Sequence, residues 1–149
     1  MAAWDTDHRV AEVLMTAPPP PFLVSLGPRA EEAELIADAA VASGFDAVAV
    51  PPTDLLNLRL AAAAADVLVI DGATAPQVLA ALPVPEPAEP APLVLLVLPP
   101  DPAGAEQARR AVAGHGLSVV ATLAAPLAEE PLRRALLQAR AGAGGLQER

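Results

Sequence analysis

A run of aliphatic residues between two aspartates constrains the fold of this chain more than any other feature of its sequence. In the stretch Ala65-Asp66-Val67-Leu68-Val69-Ile70-Asp71-Gly72, four consecutive apolar residues, three of them β-branched, separate the two carboxylates. An unbroken apolar run of this length is typical of a strand buried on both faces, as in the middle of a parallel sheet. Ligands bind at the carboxyl ends of the strands in open parallel sheets, so Asp71 stands where chemistry would occur.

Similar apolar runs recur along the chain, and each is followed by a segment with helical character. The other predicted strands cover residues 22–26, 47–50, 93–98 and 117–123. The predicted helices cover residues 28–43, 54–64 with Thr53 as the cap, 76–82, 101–113 and 128–141. This alternation predicts an α/β three-layer sandwich, with a parallel sheet between two layers of helices and right-handed crossovers. For five strands the flavodoxin-like order 2-1-3-4-5 is the best single expectation.

Proline-rich stretches divide the chain into a domain and its appendages. Residues 1–20 form an extension that could hold a short helix before the Pro18–Pro21 spacer, residues 21–141 form the domain, and residues 142–149 are expected to be a flexible tail. The extension, which contains the only tryptophan, Trp4, is either a loosely docked terminus or a helix that binds a partner. The proline-alternating loop 83–92 is either an exposed connection or an interaction motif.

Composition excludes several classes of active site. The chain has no Cys, and all nine of its basic residues are Arg, so it lacks the lysine of a phosphate-binding loop or of a Schiff-base enzyme. Its two histidines, His8 and His115, are far apart, so neither a zinc site nor any other metal site is expected. No secretory signal and no apolar run of about 18 residues is present, so a cytoplasmic protein without a membrane segment is the expectation.

The net charge of −9 is distributed unevenly along the sequence. Residues 1–100 contain thirteen acidic residues and three Arg, whereas residues 101–149 contain five acidic residues and six Arg. The acidic part would repel phosphates, which argues against nucleic acid as a partner. The arginine-bearing C-terminal part could bind an acidic protein.

Several of these segments together resemble the receiver domain of two-component response regulators. The resemblance covers about residues 21–140, and its main features are the leading Asp66 five positions before Asp71, the pair Gly44-Phe45 before the second strand, and the segment Ala125-Pro126-Leu127 before the last helix. It implies the CheY-like variant of the flavodoxin-like fold, a role in bacterial signalling, and the phospho-acceptor position at Asp71.

The chain departs from the receiver pattern at the other functional positions. The acidic pair that holds Mg²⁺ in working receivers aligns with Leu26 and Gly27, the Ser or Thr at the end of strand four aligns with residues 97–99, and the Lys aligns with Ala125. Phosphoryl transfer depends on cations that neutralise developing charge, and a divalent ion needs several oxygen ligands. The resemblance therefore implies a pseudo-receiver, a non-enzymatic protein-binding module with no cofactor and a vestigial acceptor.

The role of Asp71 has two interpretations. Asp-Gly pairs commonly form turns in which the carboxylate accepts local backbone N–H groups, and this is the favoured interpretation. In the other interpretation Asp71 keeps a phosphorylation or ligand-binding role, as in an atypical receiver.

Two further classes of function share this fold. Residues 25–28 and 44–48 resemble the opening of cobalamin-binding domains, but the loop Pro28-Arg29-Ala30-Glu31 lacks the histidine that ligates cobalt in that family. A small enzyme of the same fold would need a nucleophile and a base, and the chain has no Cys, no Lys and no His at a predicted strand end. A binding module is favoured over both.

The predicted partner or dimer face consists of the fourth helix, the fifth strand and the fifth helix, which lie at one edge of the sheet in the order 2-1-3-4-5. This is a face that receivers commonly use for dimerisation or target binding. Its proposed contact residues are Arg109, Arg110, Arg133 and Arg134. The inner sides of the two helices are assigned to Ala108, Val112, Leu132 and Leu136. Such a face could bind an acidic partner or a second copy, or it could be an ordinary solvated surface balanced by Glu106, Glu129 and Glu130.

Overall fold

The fold alternates strands and helices throughout the residues that the structure describes. A computed structural model describes residues 20–27, 30–51, 53–84 and 91–148. The strands are β1 Phe22–Leu26, β2 Asp46–Val50, β3 Val67–Asp71, β4 Leu93–Leu98 and β5 Ser118–Ala124. The helices are α1 Ala30–Ala42, α2 Leu55–Ala64, α3 Ala75–Ala80, α4 Pro102–Gly114 and α5 Glu129–Glu148. The helix predicted within residues 1–17 lies outside the described residues, as does most of the loop 83–92.

The strands form one parallel sheet in the order β2-β1-β3-β4-β5. This confirms the predicted flavodoxin-like order 2-1-3-4-5. The aliphatic run is the central strand β3, in which residues 67–70 are at most 1% exposed. Because alternate side chains of a strand point to opposite faces, Leu68 packs on one side of the sheet and Val69 on the other. A strand in this position must be apolar at every residue, which explains the unbroken run.

The two faces of the sheet carry separate aliphatic cores. On one face, α2, α3 and α4 contribute Leu58, Val78 and Val112 among other residues. On the opposite face, α1 and α5 contribute residues such as Ile36 and Leu136. The result is the predicted three-layer arrangement. Among the described helices, none combines the length and the apolar character needed to cross a membrane.

The C-terminal part of the chain differs from its prediction. The last helix does not end at Ala141 but continues to Glu148, so the tail predicted at 142–149 is helical through Glu148. Glycine lowers helix propensity by about 1 kcal/mol without removing a backbone donor, so a glycine-rich segment can remain helical. At Gly142 a Cβ atom would lie 2.9 Å from Leu93 Cδ1, so the glycine lets α5 approach the beginning of β4.

The cap of α2 also differs from its prediction. Asp54, not Thr53, precedes the first helical residue, and its Oδ1 accepts a hydrogen bond from Asn57 N at 3.3 Å. A second hydrogen bond joins Asn57 Nδ2 to Asp54 Oδ2 at 2.6 Å. An N-cap side chain accepts a hydrogen bond from the free backbone N–H two or three residues later, and Asn57 lies three residues after Asp54.

Candidate functional site

Asp71 ends the central strand at the carboxyl edge of the sheet, as predicted. Its side chain is half-buried, and Oδ1 accepts a hydrogen bond from Ala73 N at 3.2 Å. The main-chain oxygen of Asp71 accepts hydrogen bonds from Thr74 N at 3.1 Å and from Thr74 Oγ1 at 3.3 Å. These bonds form the tight turn that links β3 to α3, so this carboxylate has the local contacts of a turn-forming residue.

The next residue, Gly72, brings this turn against the end of β4. Its N–H donates to Val97 O at 2.7 Å. A Cβ atom at Gly72 would lie 2.5 Å from that same oxygen and 2.9 Å from Pro99 Cδ. Only glycine fits between these groups, so Asp71 is positioned by a close backbone contact between two neighbouring strands.

The end of β1 faces the same turn, and neither position 26 nor position 27 presents a carboxylate to Asp71. Leu26 is fully buried in the core beneath α2, α3 and α4. Gly27 has a φ of 79°, in the left-handed region, and a Cβ atom placed on it would collide with the hydroxyl oxygen of Thr74. The hydroxyl of Thr74 therefore occupies the space that a side chain at position 27 would need. Neither position can supply an oxygen ligand toward Asp71 in this arrangement.

The other receiver positions are also without reactive groups. At the end of β4, Leu98 and Pro99 are half-buried, and Ala125 N donates to Leu98 O at 3.0 Å. Neither a hydroxyl nor an ammonium group is present at these positions. Within the described part of the chain, no group of three or more His, Asp or Glu side chains could hold a metal ion. The residues around Asp71 therefore do not fit a bound Mg²⁺.

A shallow cleft of about 380 Å³ lies beside this turn, between the first turns of α3 and α4. Its polar side chains are Gln77, Asp101 and Gln107, and Asp71 does not line it. Asp101 is already used as the cap of α4, since its Oδ2 accepts a hydrogen bond from Gly104 N at 2.7 Å. The cleft is thus lined by no hydroxyl, amine or imidazole side chain, and its one carboxylate caps a helix.

The two histidines do not come together at this edge. His115 follows the last residue of α4, whereas the cleft lies at the first turn of that helix, and its Nε2 lies 3.1 Å from Pro83 O. His8 is outside the described residues. The described structure therefore offers no cobalt ligand near the carboxyl edge of the sheet.

At the opposite edge, Asp66 has a structural role that the sequence interpretation missed. Its Oδ2 accepts a hydrogen bond from Phe22 N at 2.8 Å, and its own N–H donates to Phe22 O at 2.8 Å. Its main-chain oxygen accepts a hydrogen bond from Leu93 N at 3.0 Å. Asp66 thereby connects the first residues of β1 and β4 to the beginning of β3. The only signal in the sequence is a carboxylate that directly precedes an apolar run.

The four arginines of the predicted partner face are all exposed, and the predicted inner residues are all fully buried. The buried residues are Ala108, Val112, Leu132 and Leu136. The exposed residues are Arg109, Arg110, Arg133 and Arg134. The two arginine pairs lie on helices that cover opposite faces of the sheet, next to the edge strand β5.

Three of these arginines are paired with a glutamate one turn earlier on their own helix. The N···O distances are 3.2 Å for Arg110–Glu106, 2.9 Å for Arg133–Glu129 and 2.8 Å for Arg134–Glu130. All three pairs are exposed, and such pairs contribute about 0.3–0.5 kcal/mol each. No carboxylate among the described residues lies within ion-pair distance of Arg109.

Solved structures with this architecture include receiver domains. The signal receiver domain of an HD domain-containing protein from Pseudomonas fluorescens superposes with a TM-score of 0.65 at 18% identity, over 90% of this chain and 96% of the other. A response regulator receiver domain protein from Clostridium thermocellum superposes with a TM-score of 0.53 at 11% identity, over 85% of this chain and 98% of the other. The chain therefore has the receiver-domain fold, and the predicted resemblance is confirmed at the level of the fold.

The same fold also occurs outside receivers. A metal-soaked flavodiiron core from Synechocystis superposes with a TM-score of 0.55 at 11% identity, over 89% of this chain and 37% of the other. No protein-family model matches the sequence, and no curated protein matches it.

Proposed function

We propose that this chain is a pseudo-receiver that acts as a non-catalytic protein–protein interaction module in bacterial signalling or regulation. The fold of receiver domains supports a signalling role. The surroundings of Asp71 support the loss of phosphorylation by the usual Mg²⁺-dependent route.

The contact between Gly27 and Thr74 is the observation that carries this proposal. A phosphoryl group that transfers to a carboxylate needs cations to neutralise charge on its oxygens. Here the Thr74 hydroxyl excludes a side chain at position 27, and Leu26 is apolar and buried. One oxygen of Asp71 accepts a hydrogen bond from Ala73 N, and among the described residues no group of three or more His, Asp or Glu side chains could hold a metal ion. The sequence has no lysine that could replace the missing charge.

Incubation with acetyl phosphate and Mg²⁺, followed by intact-mass measurement, tests the proposal. We expect no phosphoryl adduct on the wild-type chain under conditions that label an active receiver treated in parallel. An Asp71→Asn variant is the control for modification elsewhere. A stoichiometric adduct that disappears in this variant would contradict the proposal and favour an atypical receiver phosphorylated on Asp71.

The proposed partner surface is the edge formed by α4, β5 and α5. Its two helices carry exposed arginines next to an edge strand, within a chain of net charge −9. Arginine is suited to bidentate contacts with carboxylates, and the guanidinium of Arg109 has no such partner among the described residues. The partner is an acidic protein or the acidic surface of a second copy.

Charge reversal at Arg109 and Arg133 tests this surface, with sedimentation and partner capture as measurements. We expect Arg109→Glu with Arg133→Glu to reduce association. A second variant, Glu129→Arg with Arg133→Glu, exchanges the two charges of one ion pair without changing the net charge. It should also reduce association if binding depends on the positions of the charges on this surface and not only on their sum. Unchanged association in both variants, with the fold intact, would exclude this edge as the functional surface.

A further inference from the structure

The two edges of the sheet differ in how well they are protected against pairing with a further strand. At the β5 edge, Val120 is an extra residue that has no counterpart in the register with β4. Its main-chain oxygen accepts a hydrogen bond from Gln138 Nε2 of α5 at 3.3 Å. A bulge in the strand and a side chain bound to an edge carbonyl both hinder the addition of a strand at this edge.

The β2 edge is regular and uncharged along most of its length. Five consecutive residues, Asp46–Val50, pair with β1 in an uninterrupted register. Residues 47–50 contain neither a charge nor a proline, and Val48 is 44% exposed. Within the described part of the chain, β1 is the one strand that pairs with β2. Natural proteins normally guard an edge with charges, prolines or bulges, so an edge without them is suited to pairing with another strand.

The outward backbone groups of β2 belong to Ala47 and Ala49. Val50 O accepts a hydrogen bond from Gly27 N at 3.1 Å, so Val50 and the other even-numbered residues of β2 direct their backbone groups toward β1. Because this direction alternates along a strand, the N–H and C=O groups of the two alanines point away from β1. They are two donors and two acceptors that a further strand could bind.

An antiparallel second copy of β2 pairs all of these groups in one register. When Val48 lies opposite Val48 of the other copy, Ala47 lies opposite Ala49, and each such pair exchanges two hydrogen bonds. A shift in one direction would pair Ala49 with Phe45, whose N–H already donates to a carbonyl of α1 at 2.9 Å. A shift in the other direction would pair Ala47 with Pro51, which has no N–H.

The side chains suit the same register. Val48 of each copy would meet its counterpart in a non-hydrogen-bonded pair, in which the side chains of antiparallel strands lie closest. Both would point to the face of the sheet on which Val50 joins the core beneath α2. The two Asp46 residues would be separated by about 13 Å along the strands, which exceeds the Debye length of about 8 Å at physiological salt.

We propose that β2 is a self-association edge, at which two copies of this chain pair antiparallel through Ala47 and Ala49 and join their sheets into one. A second copy fits this edge because its own β2 is uncharged at the same positions and offers the complementary donors and acceptors. The surface lies at the opposite edge of the sheet from β5, and the inference does not depend on the pseudo-receiver proposal.

Sedimentation of the full-length chain, with a charge placed at position 48, tests the edge and its register. We expect the wild type to dimerise. Val48→Lys and Val48→Glu should each raise the dissociation constant of the dimer by about tenfold or more, because like charges would lie directly opposite each other. An equimolar mixture of the two variants should associate again, since opposite charges would then face each other. Circular dichroism checks that each variant is folded.

Two measurements on the wild type test the same pairing without a substitution. The amide protons of Ala47 and Ala49 should exchange more slowly as protein concentration rises, because the dimer binds them. Added salt should strengthen this association by screening the repulsion between two acidic copies, whereas it would weaken contacts between arginine and carboxylates at the β5 edge. The two surfaces are therefore distinguishable.

Val119→Lys is the matched control at the other edge of the sheet. Val119 is 38% exposed on β5, so this variant adds the same charge to an edge strand without changing β2, and dimerisation should be unchanged. A wild type that stays monomeric at every concentration reached, or a dimer that both Val48 variants leave intact, would overturn the inference. A mixture of the Val48 variants that fails to associate would also overturn it, because the two copies would then not meet at position 48.

Discussion

Replacement of Asp66 should destabilise the domain more than replacement of Asp71, although both aspartates flank the same strand. The Oδ2 atom of Asp66 accepts a charge-assisted hydrogen bond from Phe22 N at 2.8 Å, in a partly buried position. Hydrogen bonds to charged groups contribute about 1.5–3 kcal/mol, and an unpaired donor adds its desolvation cost. Because Phe22 is partly accessible to solvent, we expect Asp66→Ala to lower the free energy of unfolding by about 2 kcal/mol, near the lower end of this range. Asp66→Asn keeps an oxygen acceptor without the charge and should cost about 1 kcal/mol.

Asp71 provides the matched comparison. Its carboxylate accepts one exposed hydrogen bond of 3.2 Å from Ala73 N, so Asp71→Ala should cost about 0.5 kcal/mol. Urea unfolding followed by circular dichroism measures these differences. With a slope of about 2 kcal/mol per molar urea, Asp66→Ala should lower the midpoint by about 1 M without changing the slope. For a domain of this length the melting temperature should fall by about 4–8 °C. Equal losses for the two alanine variants would refute the assignment of Asp66 as the connection between strands.

Two further predictions concern the site and its alternatives. Gly27→Ala should lower the free energy of unfolding by about 1–3 kcal/mol, because position 27 has a left-handed backbone and the new Cβ atom would collide with the Thr74 hydroxyl. In a Thr74→Ala background the same substitution should lower the free energy of unfolding by less. Additive effects of the two substitutions in urea unfolding would contradict that contact. Addition of cobalamin at micromolar concentration should leave the absorption spectrum of the cofactor unchanged, since no histidine lies at the described cleft; a shifted spectrum that stays with the protein through gel filtration would favour the ligand-binding alternative.

The architecture could be predicted because it depends on local patterns that the chain repeats. Strands β1 and β4 have the predicted bounds because each is a largely apolar run that ends at a glycine or a proline. The order of the sheet was predictable because alternating strands and helices leave few parallel arrangements with right-handed crossovers. The bounds of the last helix were predicted less well, since glycine weakens a helix without preventing it and the packing of Gly142 on Leu93 is a long-range contact.

The position of Asp71 at the carboxyl edge, the absence of lysine and cysteine, and the aliphatic character of the core were all determined by the sequence alone. Three facts about the candidate site required the tertiary structure. The Thr74 hydroxyl fills the space beside Gly27, Asp66 binds the backbone of Phe22, and the helices that carry the two arginine pairs cover opposite faces of the sheet. Each of these facts joins residues that are far apart in the chain. Propensity and periodicity describe only neighbours in sequence, whereas the distance between remote residues depends on how the strands and their crossovers pack together.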